Sequence, residues 1–106
     1  MNKYEVGGII KSTVKLNKTN TTGKSVLNIF VETIEKFTTK DGKHQSQKNI
    51  HNIKCWGKTA EIVADNYKKG DYIIVSGRNE TERDKNSGKI ITELIVRSVE
   101  NIHRTN

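Results

Sequence analysis

Few places in this chain could do chemistry. Gly57-Lys58-Thr59 ends like a phosphate-cradling loop, but that loop needs a glycine five positions before Gly57, where Asn52 stands. Gly23-Lys24-Ser25 fails in the same way, with Lys18 at the required place. His44, His51 and His103 are widely spaced and Cys55 is the only cysteine, so no zinc-ligand spacing and no internal disulfide exist. No nucleophile–histidine–acid signature can be picked out. The expectation is a protein without catalysis, cofactor or metal.

What remains is an aromatic and basic set. The six aromatics are Tyr4, Phe30, Phe37, Trp56, Tyr67 and Tyr72. Nineteen Lys and Arg oppose twelve Asp and Glu, a net charge of +7. The first sixty residues hold eleven lysines and four acids, whereas the remainder balances eight bases with eight acids. A surface so one-sided attracts polyanions, or it serves only to keep the chain soluble; charge alone leaves both open.

Period-two parity from Lys48 to Trp56 separates Asn49, His51, Ile53 and Cys55 from Ile50, Asn52, Lys54 and Trp56. Taken alone, Trp56 suits a core or an exposed platform. Asn52 and Lys54 on its face favour the platform, because a lysine is rarely fully buried. Phe37, flanked by Lys36 and Lys40, reads as a second exposed ring, while Tyr67 reads as core. Flat rings for bases beside ammonium groups for phosphates are what unpaired nucleic acid requires. A duplex reader would call for a recognition helix, and an RNA-reading sheet for aromatic-rich strings that are absent here.

The elements that must position these residues speak a β vocabulary. Ile and Val number twenty-one, against three Leu and two Ala. Strands are expected over Tyr4–Ile10, Ser25–Phe37, Lys48–Trp56, Asp71–Asn79 and Ile90–Ile102. Leu27, Ile29 and Val31 should share one face of the second strand, with Asn28, Phe30 and Glu32 on the other. In the last strand, Ile91, Ile95 and Val99 should alternate against Thr92, Leu94 and Val96. One helix is expected over Thr59–Tyr67, buried along Ala60, Val63, Ala64 and Tyr67. Its expected signals are Thr59 as N-cap, Glu61 near the start, and Lys68-Lys69-Gly70 as a basic last turn and stop. Lys40-Asp41-Gly42-Lys43 and Asp84–Lys89 read as turns. Five strands with a helix between the third and fourth predict an all-β, five-stranded OB-fold barrel, one domain over residues 1–106. No apolar run is long enough to span a bilayer, and Met1-Asn2-Lys3-Tyr4-Glu5 has no export signal. A reducing, cytoplasmic setting is expected.

The string Ile50-His51-Asn52-Ile53-Lys54-Cys55-Trp56-Gly57-Lys58-Thr59-Ala60-Glu61 resembles bacterial single-stranded DNA-binding proteins of the replication type. The turn Lys68-Lys69-Gly70-Asp71-Tyr72, the strand Val75-Ser76-Gly77-Arg78 and the run Thr92-Glu93-Leu94-Ile95-Val96 extend the likeness. The resemblance implies an OB-fold that assembles as a homo-oligomer, a tetramer before a dimer, and coats single-stranded DNA in replication, recombination or repair. It implies base stacking on Trp56 and Phe37, with Lys58 as the motif lysine and Asn52 and Lys54 on the binding face. Ile50, Lys36, Lys40 and Arg78 complete the candidate surface, and His51 falls on the face where that family places a subunit contact.

Three departures accompany the likeness. Ile50 stands where many members carry an aromatic, and the Glu80–Asn86 hairpin lacks another stacking ring. Lys11-Ser12-Thr13-Val14-Lys15 replaces an Asp-Pro-Glu stretch. The acidic tail of the family is also expected to be missing, since Asn106 lies just past the last strand; a divergent member from a phage or mobile element fits this. The alternatives are a dimer like primosomal replication protein N, and an OB module that binds protein.

Overall fold

A computed structural model describes residues 2–100. In chain order the elements are β1 (Tyr4–Ile10), β2 (Asn17–Lys18), β3 (Ser25–Thr38), β4 (His44–Trp56), α1 (Gly57–Asn66), β5 (Tyr72–Arg83) and β6 (Ile90–Val99). The strands run in the order β1-β5-β6-β4-β3, and a β1–β3 pairing closes the ring. Every pair is antiparallel except β4–β6. The two-residue β2 rides on the edge of β3. The five long strands and the helix between the third and fourth of them match the arrangement expected from the sequence. Residues 101 and 102, expected to end the last strand, lie outside the described residues.

Alternation sets the core. Leu27, Ile29 and Val31 on β3, Ile53 and Cys55 on β4, Ile73 and Val75 on β5 and Leu94 and Val96 on β6 all point inward and are buried. β-branched side chains fill most of these positions, as suits a pleated surface. At the β1–β3 seam the two backbones nearly touch, and a Cβ on Gly8 would run into the carbonyl of Glu32. Glycine there is what allows β1 to pass from β5 to β3 and shut the barrel.

One parity expectation fails. Val99 was to share a face with Ile95, yet it packs against the core. Ser76 pairs with Ser98 and Gly77 with Val96, so Arg97 is an extra residue in β6 and everything beyond it is turned over.

The helix seals the end of the barrel with Ala60 and Val63 buried, and with Ala64 and Tyr67 packed against the core. It starts two residues before the expected point. Gly57, at φ +58°, takes the chain directly from the extended Trp56 into the first turn. Thr59 is therefore inside the helix and not its cap, and no side chain caps the N-terminus. Glu61 falls beyond the first turn. At the other end the helix stops at Asn66, so Lys68 and Lys69 lie in the following turn and not in its last one. That turn is fixed by the Asp71 carboxylate accepting from the Lys68 amide and by the Gly70 amide donating to Ile10.

Two hairpins outrun the barrel. β3 and β4 pair continuously from Val26–Trp56 to Thr38–His44, and beyond Ile34 every residue of β3 is exposed. β4 begins at His44 and not at Lys48, because pairing with β3 extends it through four polar residues that show no alternation. β5 and β6 likewise continue past the core as an exposed arm, closed by the Asp84–Lys89 turn.

Candidate nucleic-acid interface

The outward parity of β4 presents Ile50, Asn52, Lys54 and Trp56, and the register with β3 decides what stands beside each. Trp56 faces Val26, Lys54 faces Asn28, Asn52 faces Phe30, and Ile50 faces Glu32. Farther along the ribbon, Lys48 faces Ile34 and Ser46 faces Lys36. On the other flank Lys54 adjoins Ile95 of β6, which in turn adjoins Arg78 of β5. One outer face thus gathers Trp56, Lys54, Asn52, Ile50 and Arg78, and the same parity continues far along the ribbon to Lys36.

Trp56 is half-buried, neither sealed in the core nor fully open. The Nζ atoms of Lys24 and Lys54 lie 5.5 and 5.4 Å from the indole centroid, within cation–π reach. The ring borders a groove lined by Lys54, Glu80, Thr81, Glu82, Glu93 and Ile95. Lys54 Nζ is 3.7 Å from a Glu93 oxygen, and Arg78 is 3.5 Å from Glu80. The Asn52 amide donates to the Thr92 carbonyl at 3.4 Å, steadying the face between Phe30 and the β6 strand.

The other candidates sit apart. Lys58 is exposed on the first turn of α1, just past Trp56. Lys40 lies in the turn at the tip of the β3–β4 ribbon, where the Thr39 hydroxyl bonds to the Asp41 carboxylate. Phe37 is 44% exposed, opposite Gln45. Its parity is that of Val31 and not of Phe30, and it is eleven positions along the ribbon from the pair Val26–Trp56. At ~3.3 Å per residue this is about 36 Å. Trp56 and Phe37 therefore do not share one patch. His51 lies on the opposite parity from Trp56, half-buried, with Nε2 3.0 Å from the Thr33 hydroxyl.

Two residues of the face escaped the sequence reading. Phe30 is 50% exposed, and its outward parity was visible; only the register that sets it beside Asn52 was not. Lys24 gave no signal beyond belonging to an acid-free lysine stretch, and it reaches the indole because the next residues, Ser25 and Val26, bring β3 alongside Trp56. Behind the face, burial pushes the Cys55 thiol up to about 12, which leaves it an inert core group. Among the described residues no cluster of His, Cys, Asp or Glu is arranged to hold a metal ion, and no helix is long and apolar enough to cross a membrane.

A closed five-stranded barrel of this order, with its helix between the third and fourth long strands, is an OB-fold. The chain belongs to the single-strand binding protein family, whose model matches residues 1–102. Single-stranded DNA-binding protein 1 of Chlorobaculum tepidum is 35% identical over 77 residues, covering 69% of this chain and 48% of that one. The single-stranded DNA-binding protein of Clostridium tetani is 30% identical over 102 residues, covering 93% of this chain and 68% of that one. The chain thus spans about half the length of the first relative and two thirds of the second. Among solved structures, the wild-type single-stranded DNA binding protein from Thermus aquaticus shares the fold with a TM-score of 0.81 at 22% identity, over 94% of this chain and 49% of that one. Plasmodium falciparum SSB in complex with ssDNA gives 0.80 at 23% identity, over 91% of this chain and 86% of that one.

Proposed function

We propose that this chain binds single-stranded DNA without reading its sequence, stacking bases on Trp56 and Phe30 and holding phosphates with lysines of the outer face and the β3–β4 ribbon. The observation that carries this is the indole with two ammonium groups in cation–π reach, on a face that continues through Asn52 to an exposed phenylalanine. A base arriving on the ring displaces an ammonium group, which is then free for the adjoining phosphate. Stacking tolerates every base because each has a π-face, and the cations see only the backbone. Family membership and the ssDNA held by the Plasmodium relative support the reading.

The role is a protective coat in replication, recombination or repair, with Phe37, Lys36 and Lys40 engaging strands long enough to reach the ribbon tip. β1 from Tyr4 to Gly8 pairs only with β5, so its other edge is open to a second copy; pairing there builds a dimer, and a tetramer needs a further contact between two such dimers. Light scattering measures that state.

The direct test is titration of the intrinsic fluorescence with oligo-dT, since Trp56 is the only tryptophan. Saturable quenching by DNA that survives a duplex competitor is the expected result, and an RNA oligomer run in parallel measures the sugar preference. Unquenched emission at low salt overturns the proposal.

A further inference from the structure

The groove beside Trp56 has one wall that does not suit a polyanion. Glu80, Glu82 and Glu93 line it together with the indole and Lys54. Two of these acids engage the cations that would otherwise meet phosphate there. Glu93 holds Lys54 at 3.7 Å with both side chains less than a quarter exposed, so this pair is shielded from solvent screening. Glu80 holds Arg78 at 3.5 Å. On the β3 flank of Trp56 the position differs. Lys24 has no carboxylate partner, and neither do Lys36 and Lys48 on the same outward parity of the ribbon, among the described residues.

We infer that Glu80, Glu82 and Glu93 form an acidic fence that fixes the route of the DNA, so that a strand stacked on Trp56 leaves over Phe30 and along the β3–β4 ribbon and is turned away from the β5–β6 arm. The inference rests on the proposed single-strand binding and adds a direction to it. The physical basis is short-range repulsion: the Debye length is about 8 Å at physiological salt, so three carboxylates lining one groove act on any phosphate that enters it. The same carboxylates neutralise Lys54 and Arg78, and the arm offers no ring between Glu80 and Glu93 on which a base could stack. Arg83, Lys85 and Lys89 stand on the arm beyond Glu80 and Glu82, so a strand taking that route must first pass the carboxylates and finds no ring, whereas the open route has cations and rings from the start.

The test compares E80Q/E82Q/E93Q with a charge-matched control, E61Q/D65N/E100Q, whose substitutions lie on the helix and past β6. Each is titrated by Trp56 quenching with oligo-dT of increasing length at 50 and 300 mM salt. Release of Lys54 and Arg78 to phosphate should steepen the salt dependence by about 0.7 per cation. The fence variant then gains about tenfold more affinity at 50 mM than at 300 mM, and its affinity goes on rising with oligomer length after the wild type has levelled off. A fence variant indistinguishable from the control overturns the inference while leaving single-strand binding intact. Absence of quenching in the wild type overturns both.

Discussion

From Thr33 to Asn49 the β3–β4 ribbon carries four lysines and two acids, whereas from Asn79 to Glu93 the β5–β6 arm carries four acids and three bases. Both are antiparallel ribbons that run out of the same barrel, and both lose their buried residues within a few positions of its rim. Neither contributes to the core, so fold stability leaves their surface charge unconstrained. On the proposed reading, the difference between them is one of ligand chemistry. Among the described residues the ribbon leaves Lys36, Lys40 and Lys48 without an ion pair and the arm leaves Arg83, Lys85 and Lys89 so, but only the arm sets acids, Glu80 and Glu93, against Arg78 and Lys54 of the outer face.

The largest expected effect comes from discharging the ribbon. K36Q/K40Q/K43Q/K48Q should flatten the salt dependence of single-strand binding by about 0.7 for each lysine that meets a phosphate. R83Q/K85Q/K89Q on the other arm should leave it unchanged, and filter binding across a salt series decides between them. Equal losses from the two sets would erase the contrast. Next in size, Trp56→Ala should cost about 1–3 kcal/mol of affinity, read by the same filter assay because the fluorophore is gone.

The two phenylalanines sharpen the contrast further. Phe30→Ala should weaken binding of a dT tetranucleotide and of a long oligomer alike, by about 1 kcal/mol. Phe37→Ala should weaken only the long one, because a tetranucleotide seated on Trp56 cannot reach the ribbon tip. Calorimetry with both lengths measures this.

The smallest effect is a pH response confined to the acidic arm. Hydrogen bonds from the Asn86 amide and from Ser87 hold the Asp84 carboxyl below its ordinary value of 3.8. A carboxyl lowered in the folded state stabilises its turn above the ordinary value, and that contribution is lost as pH falls through the lowered one. Amide exchange at Asn86 and Gly88 should accordingly quicken in acid before the barrel opens, with no matching change at Lys43 in the ribbon turn.

Where local pattern decided the structure, the sequence was readable. β1 spans the expected residues because it alternates on the barrel and ends at the β1–β3 seam. The stripe of Ala60, Val63, Ala64 and Tyr67 meets the core as its spacing required. Two of the failures are places where a distant residue decides. Polar His44–Gln47 become strand because β3 lies beside them, and Val99 turns inward because Arg97 adds a residue to β6. Helix α1 starts early because one glycine accepts a positive φ that no propensity scale weighs. In the site, parity sorted Ile50, Asn52, Lys54 and Trp56 from their neighbours. Cross-strand register, which a single strand does not contain, was needed to add Phe30 and Lys24 and to set Phe37 far from Trp56.

Cys55 and Trp56 are consecutive, and alternation points one into the barrel and the other at the groove. The thiol is 0% exposed and the indole half-open. Alkylation at position 55 can proceed only when the strands part, so its rate clocks barrel opening while the neighbouring fluorophore registers occupancy. The chain thus carries adjacent, independent reporters of integrity and of ligand, and slower alkylation in saturating oligonucleotide would measure directly how far binding tightens the fold.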